Sequence, residues 1–396
     1  MAVHSLPTPV RLAQESLAPL FDFFLNSPFR KGREDPDACD FAFGNPHEMP
    51  LAGFTNALLA WTPPQSKDWF AYKDNEPVGQ AAVAADLQQK LGIAFAPEDI
   101  ALTNGAFAGL LVTCKAITEP GDEIIFNMPG WFFYEATIRQ AGGEPICIRT
   151  RADNFDLDLD AIEAAITART RAVIVNSPNN PSGRIYPAQT LKRLGEILTA
   201  ASARHGRIIY LISDEAYRAI VHPGAQFTSP AAYYDNSFMV YTFGKVLLTP
   251  GQRIGYIALP PTMPDRESMR LALFTTQTTM GWAFPNAILQ YALPELLNLS
   301  IDLNALWARI DRMGAALADM GYEVMMPEGT FYMNFVSPLE DDVAFSRLLM
   351  EEKVYCLSGN IMQMPGYLRL SLTANDGMVD RSLPRFARAL ARAQSA

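Results

Sequence analysis

Residues 238–259 read FMVYTFGKVLLTPGQRIGYIAL: two apolar runs, Phe238 to Phe243 and Arg253 to Leu259, joined only by Gly244 to Gln252. A crossover between parallel strands needs about a dozen residues or more. The connector is shorter than that, so one strand is expected to run antiparallel in an otherwise parallel sheet. Upstream, from about residue 100, short apolar runs alternate with helical patterns, as strand-helix-strand units do. Candidate strands are Ile100 to Thr103, Glu123 to Met128, Pro145 to Thr150, Ala172 to Asn176 and Ile208 to Ser213, followed by the two quoted runs. The expectation is an α/β fold with a seven-stranded, mostly parallel sheet.

Helical periodicity fills the gaps. After the first strand, Phe107, Leu110, Leu111, Cys114 and Ile117 share one face, and Pro120-Gly121 stops the helix. Pro187 suits the first turn of another helix, with Leu191, Leu194 and Leu198 on its buried side. Beyond Pro285 the pattern changes to a long helix around Ala287 to Met320, with candidate breaks near Pro294 and Leu299. Then come strands at Glu323 to Met326 and Phe331 to Val336, a helix near Val343 to Glu352, strands at Val354 to Leu357 and Leu368 to Leu372, and a last helix from Asp376. This predicts a smaller α+β domain. The expected division is a large domain over residues 45–285 and a small one formed by 1–44 and 286–396. The Pro- and charge-rich stretch from Pro28 to Pro50 reads as irregular chain leading into the larger domain.

At 396 residues the chain exceeds the size at which one core usually stops growing, in keeping with two domains. A net charge of −10 argues against nucleic acid or an anionic membrane as partner and leaves small molecules. Cys39, Cys114, Cys147 and Cys356 form no CxxC pair and have no histidine at ligand spacing, so no metal site is expected. Reduced thiols point to the cytoplasm. No basic start with an apolar run opens the sequence, and no stretch approaches the roughly 20 apolar residues of a membrane span.

In an open α/β sheet, ligands gather beyond the carboxyl ends of the strands. Three polar residues stand there in succession: Asn180 in NSPNNPSG, Asp214 in SDEAYR, and Lys245 in the opening stretch. Each is of a type that one chemistry needs. Lys245 is an amine able to form a Schiff base with an aldehyde cofactor, and Arg253 can clamp a phosphate. A carboxylate such as Asp214 beside a pyridine nitrogen favours its protonated form, which makes the ring an electron sink for amino-acid carbanions. Asp214 would equally serve as the N-cap of a helix starting Glu215-Ala216-Tyr217. Asn180 and Tyr217 can hydrogen-bond a phenolic oxygen, although Asn180 also suits a plain turn. Gly105, Ala106 and Phe107 open a helix after a strand, as phosphate binding asks, and Thr242 can add a hydroxyl. Trp131, in PGWFFYE, can stack on a ring or belong to the core. Arg369, among the apolar residues of YLRLSL, needs an anionic partner such as a substrate carboxylate.

Taken together, these motifs resemble the class I/II, fold-type I aminotransferases that use pyridoxal 5′-phosphate (PLP), from about Gly44 to the C-terminal helix. The resemblance implies the Asn-Pro-x-Gly turn at Asn180 to Gly183 and the cofactor-nitrogen acid and nearby Tyr at Asp214 and Tyr217. It also implies the Schiff-base amine at Lys245, the phosphate cation at Arg253 and the carboxylate clamp at Arg369, with Gly44 at the substrate site. Tyr72 is similar to the tyrosine that reaches the phosphate of the neighbouring subunit, which implies a homodimer with shared active sites. Two departures stand out. Gly244 replaces the usual Ser or Thr before the lysine. Phe107 stands where some relatives specific for acidic amino acids carry a lysine, so a neutral or aromatic side chain is expected over an acidic one. The implied reaction moves an amino group between an α-amino acid and a 2-oxo acid. A lyase or synthase of the same fold needs the same residues, whereas a nucleotide-binding protein would need GxGxxG or GxxxxGK[ST], which are absent.

Overall fold

A computed structural model describes residues 6–281 and 284–395. Residues 1–5 and Ala396, both placed in the expected small domain, lie outside that range. Seven strands form the main sheet: β2 (Ile100–Thr103), β3 (Glu123–Met128), β4 (Glu144–Arg149), β5 (Thr170–Asn176), β6 (Tyr210–Asp214), β7 (Ser237–Thr242) and β8 (Gly255–Ala258), preceded in the chain by the short β1 (Cys39–Asp40). Their order is β2-β8-β7-β6-β5-β3-β4. β8 runs antiparallel to both of its neighbours and every other pairing is parallel, as the short connector after β7 requires.

The central strands are buried along their length, which is why they read as unbroken apolar runs. Helices cover both faces. On one side the helix Gly105–Ile117 packs Leu110, Cys114 and Ile117 against Ile124, Ile212 and Val240. On the other, Ala188–His205 packs Leu191, Leu194 and Leu198 against Val173 and Leu211. Pro187 is the residue just before this helix rather than part of its first turn. Phe107 departs from the expected apolar stripe: it is 39% exposed and lines a cavity.

A second, antiparallel sheet has the order β12-β13-β10-β9, built from β9 (Val324–Met325), β10 (Tyr332–Val336), β12 (Leu357–Ser358) and β13 (Tyr367–Ser371). Its core joins Phe335, Leu370 and Phe386 with Ile310 and Leu317 of the helix Leu303–Met320. The breaks expected near Pro294 and Leu299 are present and divide the pattern from Ala287 to Met320 into three helices, Ala287–Tyr291, Leu293–Leu296 and Leu303–Met320, the last capped by Asp302. Two expectations are corrected here. The run from Val354 to Leu357 is split, β11 (Val354–Tyr355) pairing with β1 and β12 with β13. The stretch from Pro28 to Pro50 is not wholly irregular, since it holds the turn of helix Phe29–Gly32 and β1.

Candidate active site

β5, β6 and β7 are parallel neighbours, so their carboxyl ends open on one edge of the sheet. A cavity of about 150 Å³ lies there, and Asn180, Asp214, Tyr217, Thr242, Lys245 and Arg253 all line it. So do Ala106, Phe107 and Trp131.

Asp214 ends β6 and is buried at the cavity floor. Tyr134 donates its hydroxyl to Oδ2 at 2.6 Å, and the Ala216 N–H donates to Oδ1 at 3.2 Å. Burial pushes the carboxyl pKa up, and these two donors together with the Lys245 charge only partly offset it. The helix that Asp214 was expected to cap is not there: residues 216–219 form a turn. The reason is tertiary. Ala216, Tyr217 and Ile220 join the core of the second sheet, and the Ile220 carbonyl accepts the Thr330 N–H. Lys245 Nζ sits 5.3 Å from the Tyr217 ring centroid and 5.8 Å from that of Phe331, and makes no ion pair among the described residues.

At one end of the cavity Gly105 has φ +79°, and a Cβ there would lie 2.8 Å from Arg253 Nη2 and 3.3 Å from Thr242 Oγ1. Glycine is thus required both by its conformation and by the close approach of those groups. Arg253 donates to the Pro250 carbonyl at 2.5 Å, and burial draws its pKa down with no carboxylate to counter it. Cation, hydroxyl and helix N-terminus converge as an anion cradle.

Arg369, bonded to Asn180 of the lining but not itself part of it, is 1% exposed. Nη1 donates to Asn180 Oδ1 at 2.7 Å and Nη2 to the Ala42 carbonyl at 2.9 Å, while the guanidinium lies 3.9 Å from the Tyr332 ring centroid. Burial lowers its pKa, with no carboxylate paired to it among the described residues. Gly44 lies in the same corner, where a Cβ would come 2.7 Å from Phe331 and 2.9 Å from the Tyr332 hydroxyl. Tyr72 is apart from the rest, fully exposed and outside the cavity lining.

Three contributors escaped the sequence reading. Tyr134 lies in PGWFFYE, where attention went to Trp131, and only the fold brings it to Asp214. Asn176 holds two site segments together, donating to the Asp214 carbonyl at 2.9 Å and accepting the Asn180 N–H at 2.8 Å. Tyr332, in an apolar strand, reads as an ordinary strand residue, yet its hydroxyl stands 3.4 Å from that of Tyr217. Burial alone would raise its pKa, but the charges of Lys245 and Arg369 bring it below the ordinary tyrosine value.

Among the described residues the donor set fits a phosphorylated pyridine: a buried acid with no ion pair, an amine lining the same cavity, and a glycine cradle under an arginine with no carboxylate partner. The sequence model of the family described as "Aminotransferase class I and II" matches residues 65–386. The chain belongs to the class I and II aminotransferases. Enzymes of this family depend on PLP, so the chain is a PLP-dependent transaminase of fold type I. The aspartate/prephenate aminotransferase of Thermus thermophilus is 30% identical over 340 residues, covering 83% of this chain and 85% of that protein. The probable aspartate/prephenate aminotransferase of Aquifex aeolicus is 30% identical over 343 residues, covering 82% and 84%. Among solved structures, an amino transferase from Eubacterium rectale superposes with a TM-score of 0.86 at 28% identity, covering 99% of each chain. The aspartate aminotransferase of Thermus thermophilus with maleate gives 0.83 at 25% identity, covering 98% of this chain and all of that one.

Proposed function

We propose that this aminotransferase acts on α-amino acids with neutral or aromatic side chains in preference to acidic ones. The carrying observation is the aromatic wall of the cavity. Phe107 and Trp131 meet edge to face with centroids 4.7 Å apart, and Phe133 lies 5.0 Å from the first and 5.1 Å from the second. Among the described residues, the cavity lining holds no cation besides Lys245 and Arg253, both committed to other tasks. A second carboxylate entering there would be desolvated without a partner, which is costly. The opposing reading, an acidic substrate, is favoured by the names of the relatives, which point to aspartate, and would need a cation from another subunit.

The residues divide the work. Gly105, Thr242 and Arg253 would hold the phosphate, and Asp214, Asn180, Tyr217 and Trp131 would hold the ring. PLP when bound supplies the electron sink for the α-carbanion. Arg369 grips the substrate carboxylate through two parallel hydrogen bonds and so orients the α-C–H bond. Lys245 Nζ would act as the base, taking the substrate's α-proton and holding it on the amine for return. We place the enzyme in the cytoplasm as a homodimer, with Tyr72 of each copy reaching the other's phosphate. The full exposure of Tyr72 and the four free thiols support this.

The test is a half-reaction. Holoenzyme mixed with one amino acid and no oxo acid is followed by loss of the cofactor's visible absorbance. Phenylalanine or leucine should exceed aspartate in kcat/KM by at least about tenfold, the scale one mismatched side chain commands. The reverse order sinks the substrate reading.

A further inference from the structure

Two buried polar atoms near the site have no hydrogen-bond partner among the described residues: Nε of Arg369 and Oδ1 of Asn334. They are neighbours. Asn334 and Arg369 are opposed residues of β10 and β13, so their side chains leave the same face of the sheet. Asn334 is fully buried, and its Nδ2 donates to the Pro181 carbonyl at 2.7 Å. Arg369 in turn donates to Asn180 Oδ1 at 2.7 Å. The Asn180-Pro181 peptide beyond β5 is therefore held from both ends by two residues facing each other across one ladder of the second sheet. Asn334 sits where a central strand would ordinarily carry an apolar residue, since a buried amide is costly unless its hydrogen bonds are made.

We propose that Asn334 is a positioning residue of the carboxylate clamp: its amide fixes the Asn180-Pro181 peptide and presents an acceptor to Arg369, so that the guanidinium meets a substrate carboxylate in one orientation. Both Nη atoms of Arg369 already have acceptors, Asn180 Oδ1 and the Ala42 carbonyl, whereas Nε is buried without one among the described residues. Nε is the atom left for Asn334 to hold. Removing the amide frees both the Asn180 loop and the guanidinium while leaving Lys245, Asp214 and the phosphate cradle in place. This rests on the reading of Arg369 as the carboxylate site.

The experiment compares two aminooxy compounds that attack the same Lys245-linked cofactor, one with a carboxylate, aminooxyacetate, and one without, methoxyamine. Both are followed by the change in visible absorbance. The wild-type protein should react faster with aminooxyacetate. Asn334→Leu should reduce that preference at least about tenfold, with the methoxyamine rate held within about twofold, and Asn334→Asp should do the same by placing a rival carboxylate beside Arg369. Met333→Leu, on the same strand but the opposite face, should retain the wild-type preference. If Asn334→Leu does not fold, Asn334→Asp alone decides. A preference that survives in the folded Asn334 variants overturns the inference, as does a parallel loss of both rates. A wild-type protein that reacts with both but prefers neither overturns the assignment of Arg369 instead.

Discussion

Asp214 shows how much one side chain's surroundings determine. Its carboxylate has two hydrogen-bond donors but no ion-pair partner among the described residues, and burial raises its pKa above the ordinary value of 3.8. The sign of the linked stability effect follows. Between the ordinary and the raised value the folded chain holds a proton that the unfolded chain has lost, so stability falls as pH rises through that window. Above it the full cost of the buried charge remains. In cofactor-free protein, Asp214→Asn should therefore gain unfolding free energy relative to wild type as pH rises from the acid side of that window to neutrality, measured by urea melts at several pH values. A difference that shrinks with rising pH would refute this. With cofactor bound the order of merit reverses: the same substitution should lower kcat by about a hundred- to a thousandfold, as loss of a matched electrostatic partner does. That Asp214, Lys245 and Arg253 gather at one cavity was legible in the sequence because they stand at strand ends on one edge of the sheet. Tyr134, Asn176 and Asn334 were not, because their meaning lies in partners 80, 38 and 153 positions away.

At the scale of elements, the first turn of the helix Gly105–Ile117 is the part most sensitive to change. Gly105→Ala adds a Cβ in a left-handed conformation, at about 1–2 kcal/mol, and drives it toward the Arg253 guanidinium. The expected result is at least about tenfold weaker retention of PLP, measured by equilibrium dialysis against the cofactor. Phe107→Lys in the same turn should raise the aspartate half-reaction at least about tenfold relative to phenylalanine, by giving a second carboxylate a partner. An unchanged ratio would separate Phe107 from specificity. Sheet strands were read well because β5, β6 and β7 are buried on both faces and bounded by turn residues. The failures have a shared cause in competition from distant chain. A helix after Asp214 satisfies local propensity, but Tyr217 and Ile220 bury more by joining the second sheet. Residues Val354 to Leu357 look like one strand, yet β1 and β13 claim different parts of them.

For the whole molecule, the two sheets are joined next to the site. The Gly183 carbonyl accepts the N–H groups of Glu328 and Gly329, and Arg184 pairs with Glu328 at 2.7 Å. The helices Thr8–Ser16 and Ala18–Asn26 add an apolar cluster in which Ala13, Leu17 and Phe23 meet Ala136 as well as Met350 and Ile361. The proposed dimer is checked by sedimentation, which should give twice the 43.7 kDa of one chain. Tyr72→Phe should then speed PLP loss about tenfold or more, the worth of a hydrogen bond to a charged group. A variant that keeps its cofactor as well as wild type removes Tyr72 from the site.

The placement of β8 governs when this enzyme can come into being. β2 is an edge strand whose one neighbour in the sheet is β8, with Thr103 opposite Gly255. On the ribosome, Gly105 emerges early, yet the strand that seats it and the arginine beside it leave the tunnel long afterwards. Contacts so far apart in the chain form slowly, and unpaired edges attract other molecules in the meantime. The nascent polypeptide is thus obliged to wait with an unclaimed edge until its last large-sheet segment threads into the middle, and only then does it acquire the capacity to capture its vitamin.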